Sequence, residues 1–154
     1  MIRDYLNSET IRLKVDVNDR KEAIEAAAQC LVDQNKIKPE YVDKIFQAMD
    51  KFGPYIVLIP GIALAHAEPG PEVLEECVSM ITLRKAVRFG HRVNDPVSVV
   101  FVLASRSKTQ HMTVLKDISK MLMEDTFIQM LNTCTDVMEL MHYIDRKEKE
   151  LCKS

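Results

Sequence analysis

Two histidines, His66 and His111, are the residues of this sequence whose types and settings best suit chemistry. His66 lies between Ala65 and Ala67 in a segment bounded by glycine and proline, so little side-chain bulk surrounds its ring. A large partner could therefore approach the imidazole. A neutral imidazole has a free lone pair near pH 7 and can accept a phosphoryl group without first losing a proton to a base.

Each histidine also has a plainer interpretation. A lone histidine in a loop is more often a structural residue bonded to backbone than a nucleophile. A nucleophilic His66 requires one ring nitrogen to donate to a fixed acceptor, which the carbonyl groups of a tight loop offer. His111 follows an apolar strand at the first turn of a predicted helix, a place that suits an anion such as phosphate. The alternative for His111 is an exposed polar residue at a helix start.

The other candidates have weaker patterns. His91 lies in a turn-rich loop and is predicted to be structural, and His142 lies on the surface of a helix. Spacing does not exclude a metal site formed by His66, His91 and His111, but no HxH or HxxxH motif supports one, and we predict neither a metal nor another cofactor. The cysteines have no CxxC spacing, and we predict reduced, non-catalytic thiols, with Cys77 buried in a strand. The four are Cys30, Cys77, Cys134 and Cys152.

Length and composition restrict the class of protein. The chain has 154 residues, of which 47% are hydrophobic, and this fits one domain over residues 1–154. The formal net charge of −2 gives no basic field for nucleic acid. No apolar stretch approaches the roughly 18 residues that span a bilayer, and the N-terminus lacks the apolar core of a signal peptide. We therefore expect a cytoplasmic protein that does not insert into membranes.

Three segments have the patterns of strands. Residues 10–17 alternate with period two, which predicts a strand with one buried face. Residues 77–83 and 97–104 are further strands, and the second is almost uninterruptedly apolar, which is typical of a central strand covered on both faces. The short apolar run 55–59 leads into the His66 segment, for which we predict a loop.

Helical patterns precede and follow the strands. Asn18 or Asp19 can cap a first helix, and Pro39 suits the first position of a second helix that ends near Phe52. Three more helices are predicted over residues 109–123, 124–132 and 136–152. In the first of these three, the residues predicted to share one side are Met112, Leu115, Ile118, Ser119 and Leu122. Helices around a strand-rich middle predict a layered α/β domain.

The segment Gly61-Ile62-Ala63-Leu64-Ala65-His66 resembles the active loop of mannitol/fructose-type enzyme IIA domains of the bacterial phosphoenolpyruvate-dependent sugar phosphotransferase system. That loop typically has the pattern Gly-Ile-Ala-x-Pro-His. The resemblance extends to Phe89-Gly90, to Asn94-Asp95-Pro96-Val97 and to His111, so it covers nearly the whole chain. Gly53-Pro54-Tyr55 and the stretch from Phe89 to Pro96 resemble the ascorbate-specific branch of the family.

The resemblance implies a cytoplasmic phosphotransferase with a mixed β-sheet flanked by helices on both sides. His66 matches the histidine that takes phosphate from the protein HPr and passes it to a cysteine of enzyme IIB, which serves the membrane component enzyme IIC. His111 matches the second active-site histidine, which supports the phosphorylated ring. The implied substrate of the system is L-ascorbate, and no cofactor is implied.

Two departures from the family pattern stand out. Ala65 occupies the position where many members have proline, which suggests a less rigid loop. Several branches have an arginine upstream of the loop, whereas this region has Asp50-Lys51-Phe52. Any positive charge near the phosphoryl group must then come from elsewhere, and Lys51 and Arg106 are the candidates that the sequence offers.

Two other functions remain open from the sequence. A regulatory relative would use the same phosphorylation to signal metabolic state to a partner. A metal-binding or purely structural α/β domain would not be phosphorylated at all. Phosphorylation by HPr separates this last possibility from the others, and onward transfer to an enzyme IIB separates a carrier from a regulator.

Overall fold

The computed structural model describes residues 1–153, so the last residue of the predicted domain, Ser154, lies outside the described part. Five strands form one sheet in the order β1-β4-β5-β3-β2. The strands are β1 Ile11–Val15, β2 Val57–Ile59, β3 Ile62–Ala65, β4 Cys77–Val87 and β5 Val97–Ala104. The pairs β1/β4 and β3/β5 are parallel, and the pairs β2/β3 and β4/β5 are antiparallel. The sheet is therefore mixed, as predicted.

Five α-helices and a short 3-10 helix, Ile2–Asp4, accompany the sheet. The α-helices are α1 Arg20–Asp33, α2 Pro39–Phe52, α3 Lys108–Leu122, α4 Asp125–Thr133 and α5 Val137–Lys153. Of the two predicted capping residues, Asp19 caps α1, because its carboxylate accepts the Glu22 N–H at 2.9 Å. Pro39 is the first residue of α2. A backbone N–H at this position has no partner within the helix, so the missing N–H of proline costs no hydrogen bond.

The helices cover both faces of the sheet. Side chains of β5 alternate between two hydrophobic clusters: Val100 and Val102 pack with α1 and α2, whereas Phe101 and Leu103 pack with α3, α4 and α5. This alternation explains the apolar run of residues 97–104, since both faces of a central strand are buried. The predicted layered fold with helices on both sides is confirmed.

Two predictions about individual elements are wrong, and a third is correct only in part. The segment before His66 is not all loop, since Ile62–Ala65 forms the buried strand β3. Strand β4 continues to Val87, four residues beyond its predicted end. Of the five residues on the predicted side of α3, Ile118 is buried and Leu115 and Leu122 pack against the core, whereas Met112 and Ser119 are exposed. Val114 and Met121 complete the buried side.

Strand β3 has no recognisable strand pattern in the sequence, because it is short and buried on both faces and polar and apolar residues do not alternate along it. Gly61 forms the turn between β2 and β3. Its φ of 79° is a value that residues with a Cβ atom rarely adopt. The Gly61 N–H donates to the Asn94 carbonyl at 2.9 Å, and its carbonyl accepts the Ser98 N–H at 2.8 Å. These bonds place β3 against β5.

The parallel pairing of β3 and β5 positions the two histidines. Ala65, the last residue of β3, pairs with Val102 near the end of β5. The carboxyl ends of parallel neighbours meet at one edge of the sheet, so the residue after β3, His66, lies near the helix that follows β5. Among residues 1–153, no helix combines the length and apolar character that crossing a membrane requires.

Candidate functional site

His66 is half-buried, and its ring orientation is fixed by a backbone hydrogen bond. Its Nδ1 lies 2.7 Å from the carbonyl oxygen of Leu64. Because a carbonyl oxygen can only accept, Nδ1 carries the proton and donates it. The other ring nitrogen, Nε2, therefore keeps its lone pair. This is the tautomer control that a nucleophilic His66 requires.

Tyr55 contacts both the backbone and the ring of His66. Its hydroxyl donates to the backbone carbonyl of His66 at 2.5 Å. Its ring contacts the imidazole edge to face, with centroids 5.3 Å apart and planes at 81°. Burial raises the pKa of Tyr55, so the hydroxyl stays protonated and remains a donor. Tyr55 thereby fixes both the backbone and the ring of the candidate nucleophile.

Tyr41 fixes the next residue, Ala67. The Tyr41 side chain is fully buried, and its hydroxyl accepts the Ala67 N–H at 3.0 Å while donating to the Leu103 carbonyl at 2.8 Å. The hydroxyl thus joins the segment after His66 to strand β5. Two tyrosines therefore restrain the chain around His66, although Ala65 lacks the fixed φ that proline would supply.

His111 lies beside His66 in the first turn of α3. The two ring centroids are 5.3 Å apart, with planes inclined at 45°. Burial lowers the pKa of His111, and repulsion between the protonated forms of the two rings lowers it further, so the neutral form of His111 is favoured. Its Nδ1 is buried without a hydrogen-bond partner. A buried N–H without an acceptor costs more than an unused lone pair, so we assign the proton to Nε2.

The two histidines line a cavity of about 630 Å³. Most of its wall is apolar, and two exposed side chains on its rim, Phe52 and Met112, have exposed fractions of 66% and 62%. The residues lining the cavity are Ala48, Phe52, Tyr55, His66, Ala67, Glu68, Pro69, Lys108, His111 and Met112. A second large hollow is lined by residues of α5 and by Asp136, which precedes it, and contains neither histidine of the candidate pair.

The other predicted residues lie outside this cavity. His91 accepts the N–H groups of Val93 and Asn94 at its Nδ1, a structural role in a turn. Cys30, Cys77 and Cys134 are buried and Cys152 is exposed, and none of them lines the cavity. The predicted burial of Cys77 is confirmed. Within residues 1–153, no three His, Cys, Asp or Glu side chains are grouped as metal ligands.

Neither predicted source of positive charge lines the cavity. The Lys51 ammonium lies over the Phe52 ring, 5.2 Å from its centroid. Arg106 lines a separate hollow with Gly70 and Pro71. The cation in the cavity wall is Lys108, which the sequence offered no reason to choose.

Sequence reasoning also missed the two tyrosines. Tyr41 has no role among the sequence-based predictions, and Tyr55 enters them only as part of Gly53-Pro54-Tyr55, which resembles the ascorbate-specific branch. A signal existed for Tyr41, since a tyrosine on a buried helix face needs a partner for its hydroxyl. Which partner it finds depends on how α2 packs against β5, and that is not encoded by local pattern.

The chain is similar to known proteins of one family. The family model described as "Phosphoenolpyruvate-dependent sugar phosphotransferase system, EIIA 2" matches residues 4–147. The ascorbate-specific PTS system EIIA component of Salmonella choleraesuis is 31% identical over 147 residues, covering 94% of this chain and 96% of the relative. The corresponding component of Escherichia coli strain K12 is 30% identical over the same shares.

Solved structures resemble the fold closely. The cryptic mannitol-specific phosphotransferase enzyme IIA of Escherichia coli has a TM-score of 0.84 and 27% identity, covering 94% of this chain and 98% of the other. The enzyme IIA of the E. coli mannitol complex with phosphorylated enzyme IIB has a TM-score of 0.79 and 27% identity, covering 88% and 94%.

The family model matches residues 4–147, most of the chain, so the chain belongs to the EIIA 2 family of the phosphoenolpyruvate-dependent sugar phosphotransferase system. Members of this family take part in phosphoryl transfer, so the protein is a component of a transferase system. The relatives named above include ascorbate-specific components, and its fold is that of mannitol-type enzyme IIA.

Proposed function

We propose that the protein is a phosphocarrier that accepts a phosphoryl group on Nε2 of His66 from phosphorylated HPr. It then passes the group to a cysteine of an enzyme IIB, which serves a membrane enzyme IIC in the uptake and phosphorylation of L-ascorbate. The relay runs in the cytoplasm. The observation that carries this proposal is the bond from His66 Nδ1 to the Leu64 carbonyl, which leaves Nε2 unprotonated.

The acceptance step is an in-line displacement at phosphorus. The Nε2 lone pair of His66 forms a bond to phosphorus while the bond from phosphorus to the donor imidazole of HPr breaks, and that electron pair returns to the donor nitrogen. In the second step a cysteine thiolate of enzyme IIB attacks phosphorus, and the pair returns to His66 Nε2. Such transfers depend mainly on positioning and electrostatics, since the protein performs little other covalent chemistry.

His111 supports the phosphorylated ring. A neutral His111 with its proton on Nε2 presents a donor to the phosphoryl oxygens, in a ring whose centroid is 5.3 Å from that of His66. It has no role as the attacking group in this scheme, because the nitrogen with the lone pair, Nδ1, is buried.

The rim of the cavity suits protein partners that bind and leave. Phe52 and Met112 are large, exposed and apolar, and they lie on opposite helices, α2 and α3, beside the nucleophile. Since HPr and enzyme IIB must use the same site in turn, we expect a transient interface of less than about 1,200 Å² in total. The mannitol complex with phosphorylated enzyme IIB supports enzyme IIB as one partner.

The ascorbate assignment is supported by relatives that are 30–31% identical over 94% of the chain. The direct experiment incubates the protein with phosphoenolpyruvate, enzyme I and HPr, and then offers it enzyme IIB of the ascorbate, mannitol, fructose and galactitol systems. We expect phosphorylation of the protein and rapid transfer to the ascorbate enzyme IIB. Transfer only to another enzyme IIB would overturn the substrate, and phosphorylation without any transfer would favour a regulator. If the protein is not phosphorylated at all, the phosphocarrier function is overturned.

The Tyr55 hydroxyl is expected to speed the acceptance step by holding the His66 carbonyl. Tyr55→Phe keeps the ring contact with the imidazole and removes one hydrogen bond, a net loss of about 1 kcal/mol. Phosphorylation by HPr should therefore slow by up to about fivefold in rapid-quench kinetics, and the thermal unfolding midpoint should fall by no more than about 2–4 °C.

The matched control is Tyr143→Phe, which removes a hydroxyl bonded to Thr126 at 2.6 Å, outside the cavity. This control should retain the wild-type rate. Equal rates for Tyr55→Phe and Tyr143→Phe would show that the Tyr55 hydroxyl does not position the nucleophile.

A further inference from the structure

A phosphoryl group on His66 brings about 1.5 to 2 negative charges into the cavity at neutral pH. The surrounding wall is mainly apolar, with Phe52, Tyr55, Pro69 and Met112 around the ring. A charge that loses contact with water is unfavourable unless a counter-charge or hydrogen-bond donors replace that contact. The phosphorylated state therefore needs more than the single donor that His111 supplies.

Lys108 is the only cationic side chain among the described residues that line this cavity. On the α2 side, the lining residues Ala48 and Phe52 carry no charge. Lys108 begins α3 three positions before His111, and residues with this spacing lie on the same side of a helix. The lysine and both histidines thus face one space.

The charge of Lys108 is also not neutralised by a partner. Within residues 1–153, Lys108 makes no ion pair, whereas Lys44, near the same loop, is paired with Glu72 at 3.2 Å. Glu68 is the one carboxylate among the described lining residues, and it would repel a phosphoryl group. A cation on the facing helix offsets that repulsion.

We propose that Lys108 binds the phosphoryl group on His66 through its ammonium group and is a catalytic residue for both transfers. The inference rests on the proposed function, since it concerns the same phosphohistidine. While the bond between Nε2 and phosphorus forms or breaks, charge is spread over the three equatorial oxygens, and a flexible lysine can follow them. Lys108 thus supplies the positive charge that Lys51 and Arg106 do not bring to the cavity.

The test compares Lys108→Gln and Lys108→Arg with Lys116→Gln. The control removes the same charge from an exposed lysine two turns further along α3, outside the cavity. Each variant is phosphorylated by phospho-HPr and, separately, by phosphoramidate, a small donor that has no docking surface. The phosphate of phospho-His66 is then titrated by ³¹P NMR.

With both donors, Lys108→Gln is expected to slow phosphorylation by about fivefold, the size of an exposed charge interaction. It should also raise the pKa of the bound phosphate, because a nearby cation favours the dianion. Lys108→Arg should restore both properties, and Lys116→Gln should match wild type.

Each outcome decides the proposal. Wild-type titration and phosphoramidate rates in Lys108→Gln would overturn it, and a loss confined to phospho-HPr would make Lys108 a docking residue instead. If phosphoramidate labels His66 but phospho-HPr does not, the carrier function fails, while a shifted titration still supports the lysine contact. If neither donor labels wild-type His66, both proposals are overturned.

Discussion

Replacing His66 with alanine is expected to reduce phosphorylation by HPr to background. The variant removes the one ring nitrogen that the structure leaves both unprotonated and in the cavity wall, and His111 cannot substitute because its Nδ1 is buried. The measurement is incorporation of label from phosphoenolpyruvate through enzyme I and HPr. The wild-type product should be a phosphoramidate, stable in base and labile in acid.

Two other histidine variants serve as controls for this result. His142→Ala changes an exposed residue of α5, and His91→Asn changes a turn residue, and neither position lines the cavity. Both should be labelled like wild type, provided circular dichroism shows that they are folded. Undiminished labelling of His66→Ala would overturn the assignment of the nucleophile, and lost labelling in folded His91→Asn would place His91 in the site.

Replacing His111 with alanine is expected to slow onward transfer to enzyme IIB by about 10- to 100-fold, while acceptance from HPr continues at a reduced rate. The loss corresponds to removing one hydrogen bond to a charged group, worth about 1.5–3 kcal/mol. Burial lowers the pKa of His111 in the unphosphorylated protein, so it enters the reaction as a neutral hydrogen-bond donor. Single-turnover kinetics of each half-reaction measure the two effects separately.

A second variant tests whether His111 acts as a hydrogen-bond donor. A glutamine side chain also presents an N–H donor without charge, so His111→Gln should retain more onward transfer than His111→Ala. Wild-type rates in both half-reactions for both variants would show that His111 has no part in the site. Equal losses in the two variants would show that the lost group is not simply a donor.

The layered fold could be predicted because its determinants are local. The apolar run 97–104 indicated the central strand, and Pro39 and Asp19 indicated helix starts that the structure confirms. Strand β3 could not be predicted in the same way, because a four-residue strand buried on both faces has no alternation. The buried side of α3 was predicted correctly for Ile118 but not for Met112, which is apolar yet lines the cavity.

At the histidine pair, some features of the site could be predicted from the sequence and others could not. The small residues around His66 suggested an accessible ring with a backbone partner, and Leu64 is that partner. The restraints from Tyr41 and Tyr55 arise only when α2, β3 and β5 pack together, and they act where Ala65 replaces the usual proline. Lys108 becomes a candidate only when α3 faces the nucleophile.

The central claim is that Nε2 of His66 is the atom that carries the phosphoryl group. NMR of the ¹⁵N-labelled, phosphorylated protein measures this directly, because coupling to phosphorus identifies the attached ring nitrogen. We predict phosphorus on Nε2 of His66, with Nδ1 still protonated and bonded to the Leu64 carbonyl. Phosphorus on Nδ1 of His66, or on either nitrogen of His111, would contradict the account.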